Sequence, residues 1–419
     1  MLTSLKAVAY RVSDLNQAKQ WYQQLLGKEP AFDSPLAVAF AVGDSVLSLL
    51  PAGDTAAGRG PSTIPYWGVE DIEAAQRRLL EAGATARGEI ITTALKSRAA
   101  TVVDPFGNVL GIISKPPAPG KKSLADQPSD SALGVTLFRA LAASEERKET
   151  RGPDDLAEIF LPEEFRAVLK NPAAREWIRG KAPGSYEYFF VRTAWLDCAV
   201  REALRANLPQ GIFLGAGYDT RPYRFGGLIR KTHLFELDVE STQRRKRDLL
   251  GRVNVHVPEQ LTYVPINFTR DNLEEVLSRA GFDPTAMTLF VWEGVTYYLP
   301  ATAVDQVLAF IRANSPPGST VCFDYPADAP DMAARYGVAE SLELMRTTYH
   351  AEPIQFRIRE GAIEPFLSAR GFSVLEHLST EDMERRYLTV PSGLAAGRVL
   401  ACFRLVQAKT RVRSCAHDG

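Results

Sequence analysis

The stretch Ser114 to Asp130, SKPPAPGKKSLADQPSD, is the feature that most limits what this chain can become. Pro, Gly, Lys and Ser crowd together there and hydrophobic periodicity stops, so no regular element is expected to run through it. The 419 residues should therefore form two units, 1–115 and 134–408, joined by a linker at 116–133 and followed by a flexible tail at 409–419. With 45% hydrophobic and 24% charged residues, each unit has ordinary material for a core. Basic residues number 49 and acidic residues 50, so no excess charge exists to hold a phosphate backbone or an anionic membrane. The expected partners are small molecules, not nucleic acid or lipid. Four scattered cysteines without a CxxC pair read as reduced thiols. Lys6, Arg11 and Asp14 interrupt the first apolar stretch, which therefore lacks a signal-peptide core, and the expected location is cytoplasmic.

The first unit repeats itself. AVAYRVSDLNQAKQWYQQLLGK (residues 7–28) and YWGVEDIEAAQRRLLEAG (residues 66–83) each run a short apolar strand into Asp14 or Asp71, which opens an amphipathic helix that Gly27 or Gly83 closes. Strand-like stretches follow at 37–50 and at 99–113, the latter around the turn Asp104-Pro-Phe-Gly-Asn108, giving a βαβββ pattern twice. This arrangement resembles the vicinal oxygen chelate family, the glyoxalase and bleomycin-resistance fold. Enzymes of that family hold a divalent metal on His and Glu, and the matching positions here fall near Ala7, Leu49, Ile64 and Gly111, none of which ligates a metal. The first histidine of the chain is His233. The resemblance thus implies the fold without the metal: a cup-shaped sheet that binds an apolar ligand, pairs with a second copy into a homodimer, or shapes the neighbouring domain.

In the second unit, GIFLGAGYDTRP (residues 211–222) is a short apolar strand running into a glycine-rich turn. Gly215 and Gly217 let backbone approach a ligand closely, and Thr220 three residues on departs from the dinucleotide fingerprint. THLFELDV (residues 232–239) reads as a second strand ending at Asp238, 23 residues after Gly215, where a carboxylate can accept from ribose hydroxyls or cap the next helix. A third strand delivers Asn267 and Phe268 and a fourth delivers Glu293, so four strand ends carry a nucleoside-binding inventory. Arg192, in the aromatic stretch YEYFFVRTAWLD, needs an anionic partner: either Asp197 or Glu187, or the carboxylate of an amino-acid-like cofactor.

Together Arg192-Thr193, LGAGYDTRPYRF, FELD, VPINF and WEGVTYYLP resemble the leucine carboxyl methyltransferase family across residues 134–405, including its bacterial branch acting on small molecules. The resemblance implies an α/β architecture, a doubly wound Rossmann-like sheet with a helical lid, preceded by the α+β βαβββ repeat. It implies S-adenosyl-L-methionine as cofactor, with Arg192 on its methionyl carboxylate, Gly215 and Gly217 along its methionine part, Asp238 on its ribose, Asn267 and Phe268 at its adenine and Glu293 near its methionine end. The family usually has Asp where this chain has Asn267, so that contact loses its charge. Tyr298 matches the family tyrosine and is read as catalytic, beside Tyr297 on the substrate side. The insert Asp324–Arg359 is expected to face substrate, with Arg346 and Arg357 orienting an anion and His350 deprotonating a hydroxyl, and the helical stretch Thr136–Phe165 is expected to form the opposite wall. The function expected is O-methylation of a carboxylate or hydroxyl of a natural-product-like small molecule. The alternative is a non-catalytic binding or resistance protein working through the N-terminal cup.

Overall fold

The computed structural model describes residues 4–43, 45–51, 63–93, 97–103, 109–114, 130–146, 151–268, 270–348, 353–389 and 395–412. The chain forms two compact units, one of residues 1–121 with 170–177 and one of residues 122–169 with 178–419.

The first unit is a nine-stranded sheet built from β1 (Ser4–Val12), β2 (Phe32–Ser34), β3 (Ala37–Val42), β4 (Ser45–Pro51), β5 (Thr63–Val69), β6 (Thr85–Ala86), β7 (Ile91–Thr92), β8 (Arg98–Val103) and β9 (Val109–Ser114). Its order is β2-β3-β4-β1-β5-β9-β8-β6, with β7 on β8. The repeat appears in the pairing: β1 runs parallel to β4 as β5 runs parallel to β9, and β1 meets β5 antiparallel. Each half carries one helix, Leu15–Leu26 or Ile72–Glu81, and the expected caps form. Asp14 accepts from Gln17 N at 2.9 Å, Asp71 from Ala74 N at 2.9 Å, and Gly27 leaves the first helix at φ 62°. Each helix covers its own small core, Val38, Phe40 and Leu49 in one half and Val69, Ile72, Ala100 and Ile112 in the other. Of the four positions matched to metal ligands, Gly111 serves packing, since a Cβ there would lie 2.5 Å from the Tyr66 ring. Among the described residues no group of three or more His, Cys, Asp or Glu could hold a metal ion. The turn at residues 104–108 lies outside the described residues.

The second unit is a mixed sheet of β10 (Gln210–Leu214), β11 (His233–Asp238), β12 (Leu261–Pro265), β13 (Thr288–Trp292), β14 (Thr320–Asp328), β15 (Ile358–Arg359), β16 (Phe372–Leu378) and β17 (Phe403–Thr410). The order is β12-β11-β10-β13-β14-β17-β16, with β15 on β14. β10 to β14 are parallel, and β17 enters antiparallel to both β14 and β16. β10 is buried along its whole length, as a central parallel strand must be. Its neighbours β11 and β13 follow it in opposite directions across the sheet. The ends of β10 and β13 therefore form the switch point where a crevice opens. Ile212, Phe235, Phe290, Val321 and Phe323 share a core with Val304, Val307, Leu308 and Ile311, spaced three and four apart on the helix Ala301–Ala313.

Several boundaries differ from expectation. The helix placed at Thr136 begins at Asp130, inside the stretch read as linker, whose residues 115–129 lie outside the described residues. That helix ends at Ala143 instead of continuing to Phe165, and the rest is a 3-10 turn Ala157–Phe160 and a helix Glu163–Lys170. Gly152 explains part of the break: its N–H returns to Ala142 O at 2.8 Å, and a Cβ there would sit 2.6 Å from the Ala142 Cβ. β17 claims Lys409 and Thr410 from the expected tail, and Thr410 is buried; residues 413–419 lie outside the described residues. β14 runs on through Asp324 to Asp328, so the insert begins later than Asp324.

Candidate active site at the strand tips

The turn after β10 takes two left-handed glycines, Gly215 at φ 69° and Gly217 at φ 46°. They differ in surroundings. A Cβ on Gly215 would lie 2.5 Å from Val295 Cγ2, whereas one on Gly217 would meet nothing nearer than Ala132 Cβ at 3.8 Å. At Gly217 it is therefore the left-handed φ, and not crowding, that calls for glycine. Asp238, ending β11, turns its carboxylate back onto this loop: Oδ2 accepts from Gly217 N at 2.6 Å and Oδ1 from Val239 N at 2.7 Å. It therefore closes the loop, while the next helix, with Val239 at its N-cap, receives no side-chain cap bond. Each oxygen keeps a lone pair for a further donor. Burial pushes the Asp238 pKa up, against the pull of those two N–H groups.

Asn267 and Phe268 leave the tip of β12. The Asn267 N–H donates to Asp271 Oδ2 at 2.7 Å, and Phe268 is half-buried against the core. Glu293 leaves β13, and Gly294 follows at φ 71° with its N–H donating to Asp324 Oδ1 at 2.6 Å.

Beneath these tips lies a buried network of ion pairs that sequence reading only touched. Arg192 Nε lies 2.9 Å from Glu293 Oε1, and its Nη1 lies 2.7 Å from Asp324 Oδ2. Asp324 Oδ2 also accepts from Tyr188 OH at 2.6 Å. Arg221 reaches Glu293 Oε2 at 2.6 Å, Asp219 Oδ2 at 2.6 Å and Asp197 Oδ1 at 2.8 Å. Arg224 grips both oxygens of Asp197 at 2.6 and 2.8 Å. Arg139 lies 3.3 Å from Asp154 Oδ2 and donates to Tyr218 O at 2.8 Å. Burial alone would raise the pKa of Glu293, but the Arg221 and Arg192 guanidiniums outweigh it and pull it to about 2. Burial and the Asp324 carboxylate both push the Tyr297 phenol well above its usual value.

One expectation about Arg192 needs correction. Its protein partners are Glu293 and Asp324, neither Asp197 nor Glu187, because Asp197 is taken by Arg221 and Arg224. Arg192 is 1% exposed, with its Nε and Nη1 beside these two carboxylates. Arg346 pairs with Glu343 on the exposed face of the helix Val338–Thr348, Arg357 is exposed, and His350 lies outside the described residues. Tyr297 is buried against Phe403, with ring centroids 5.2 Å apart, while Tyr298 is half-buried beside it. Gln355, unmarked in the sequence reading, holds this turn: its N–H donates to Tyr297 O at 2.7 Å and its Nε2 to Tyr298 O at 2.7 Å. Asp219, Arg221 and Arg224 were visible in the motif DTRPYR, but a spacing of two and three residues gives no sign that their partners come from distant elements.

A glycine turn at the switch point of a doubly wound sheet, with an acidic residue ending the next strand, defines the nucleoside-binding class of α/β folds. The family model described as leucine carboxyl methyltransferase matches residues 132–312, and the one described as glyoxalase/bleomycin resistance protein/dioxygenase superfamily matches residues 4–112. A Streptomyces coelicolor protein named as a candidate S-adenosyl-L-methionine-dependent methyltransferase is 31% identical over 215 residues, covering 48% of this chain and 69% of its own. A Bacillus subtilis protein of the same description is 30% identical over 195 residues, 46% of this chain, and the match spans 63% of that relative's length. The crystal structure of a candidate methyltransferase from Thermobifida fusca aligns over 71% of this chain and 99% of its own, at 17% identity and a TM-score of 0.45. The chain belongs to the leucine carboxyl methyltransferase family, with a glyoxalase-like unit at its N-terminus.

Proposed function

We propose that this protein is an S-adenosyl-L-methionine-dependent O-methyltransferase acting on a carboxylate of a small molecule. The observation that carries the cofactor reading is the Gly217–Asp238 arrangement: a left-handed glycine turn at the switch point whose N–H is held by a carboxylate with acceptor capacity left over. Asp238 would hold the ribose, Asn267 and Phe268 would flank the adenine, and Gly215, Gly217 and Glu293 would border the amino-acid tail. When bound, the cofactor supplies an electrophilic methyl group on a sulfonium. The chain's own task is alignment of an oxygen with that methyl and exclusion of water.

The electrostatics favour a carboxylate acceptor over a hydroxyl. A carboxylate, with pKa about 4, is ionised at neutral pH, whereas a phenol near 10 needs a base. Glu293, pulled to about 2, is a poor base, and the Tyr297 phenol stays protonated. Tyr298, on the turn that Gln355 pins, is the proposed orienting residue for the acceptor. No described helix is long and apolar enough to cross a membrane, and we read the protein as cytoplasmic with the first unit as a docking or homodimer module.

Calorimetric titration with S-adenosylmethionine and S-adenosylhomocysteine tests the cofactor half. Micromolar binding lost in Asp238→Ala is expected, and no binding to folded wild-type protein would overturn the reading. A panel pairing aromatic carboxylic acids with the corresponding phenols tests the acceptor half, with methyl esters the expected products.

A further inference from the structure

One element of the first unit is far from the rest of it in sequence. Lys170–Trp177 belongs with residues 1–121, although the helix it begins, Pro172–Lys181, runs on into residues counted with the second unit. The start of that helix is set locally. Asn171 Oδ1 accepts from Ala174 N at 3.0 Å, and Pro172 takes the first helical position, where no N–H is needed. Trp177 stands on the same stripe as Ala174, three residues on, and its ring meets Phe32 edge to face with centroids 6.4 Å apart. Ala174 is 2% exposed.

Phe32 shows which face of the sheet takes this segment. Strand side chains alternate between faces, and in β3 Val38 and Phe40 turn toward the helix Leu15–Leu26, sharing a core with Leu15, Ala18 and Tyr22. Ala39 therefore turns the other way, and Phe32, its partner across β2 and β3, turns with it. The register carries the same face through Ser48 of β4 to Ala9 of β1. Ala9 and Ala39 are each 6% exposed, buried on the face that neither helix of the repeat covers. Two residues beyond Trp177, Arg179 pairs with Glu145 at 3.2 Å and lies 3.8 Å over the Tyr186 ring. Tyr186 is in the first turn of Ser185–Arg205, the helix that carries Tyr188, Arg192 and Asp197.

We infer that this alanine-floored face of the first unit is a binding site for the chain's own helix Pro172–Lys181, with Trp177 as its anchor beside Phe32. The face then neither pairs with a second copy nor takes a free small molecule. It holds the segment that leads into the helix Ser185–Arg205, and this role stands whether or not the second unit transfers methyl groups.

The test uses the full chain with Phe32→Cys and Trp177→Cys, the exposed Cys198 changed to Ser, treated with a short bifunctional maleimide at low protein concentration. A crosslink within one chain, mapped by mass spectrometry to positions 32 and 177, is the expected result. A crosslink joining two chains makes a second copy the occupant, and two reactive thiols that never join leave the face open to another ligand; either outcome overturns the proposal. Because that variant deletes the ring pair itself, hydrogen exchange supplies a second measurement. Trp177→Glu drives a charge into the apolar face and should raise exchange by about tenfold at residues 175–177 and in β2 and β3, with β10 and β13 unchanged. Trp177→Phe, which keeps a ring, should raise it less. Exchange in β2 and β3 that Trp177→Glu leaves unchanged would also overturn the proposal.

Discussion

The tips of β10 to β14 and the strands of the first unit's sheet treat charge in opposite ways. In the first unit the positions where related folds place metal ligands hold Ala7, Leu49, Ile64 and Gly111, and the last of these makes room for an aromatic ring. In the second unit Arg139, Arg192, Arg221 and Arg224 are buried among Asp154, Asp197, Asp219, Glu293 and Asp324. Fold and chemistry have separate requirements. A βαβββ sheet survives with apolar residues where ligands stood, because Asp14, Asp71 and the strand alternation still specify it. Burying charges is different: desolvation offsets much of the attraction, so apolar residues of similar volume would serve stability as well. Their concentration beneath the tips of the parallel strands is what supports the site proposed there.

The sharpest way to break this comparison is to remove the hub. Arg221→Met leaves Asp197, Asp219 and Glu293 without their shared cation, and removing one partner of a buried pair costs about 3–5 kcal/mol. Hydrogen exchange in urea, followed at the amides of β10 and β13, should show that loss in the second unit, with the amides of β1 and β5 unchanged. A change under about 1 kcal/mol would mean that the network is no more than a surface-like ion cluster.

That hub also marks the limit of what the sequence disclosed. The repeat, the glycine turn and the acidic end of β11 are local signals, read within about 20 residues, and the structure places all of them where the periodicity suggests. Arg221 and Asp324 acquire meaning only when β10, β14 and the helix Ser185–Arg205 come together, and no spacing rule spans 132 residues from Arg192 to Asp324. The expected insert starts at Asp324, where the apolar run Thr320–Phe323 gives way to a carboxylate. Its neutralisation by Arg192, Tyr188 and the Gly294 N–H allows the strand to continue. The substrate side was the least legible, since Arg346 and Arg357 were chosen by charge alone and both face solvent.

Acid titration gives a smaller effect with a definite sign. Glu293 is held at about 2 in the folded chain against an ordinary 4.5, so the unfolded chain binds the proton more readily between those values. The stability this contributes, up to about 3 kcal/mol, is fully present above pH 4.5 and is lost as pH falls toward 2. Glu293→Gln should flatten that part of the stability profile of the second unit. A profile that Glu293→Gln leaves unchanged would mean that Glu293 does not carry the effect.

The smallest effect is expected in the first unit, and it is the control for the comparison. Arg98 pairs with Glu73, with side chains 38% and 53% exposed, so water competes for both charges and neither is stranded when the other is removed. Arg98→Met should change stability by less than about 1 kcal/mol, and added salt should shrink even that, because exposed pairs are screened. A methionine at this position keeps an unbranched apolar stem while deleting the charge. The same arginine-to-methionine change is thus applied once to an exposed pair and once to a buried hub. If the two variants lose equal stability, burial is not what separates the two regions, and the argument from retained charge to functional site fails with it.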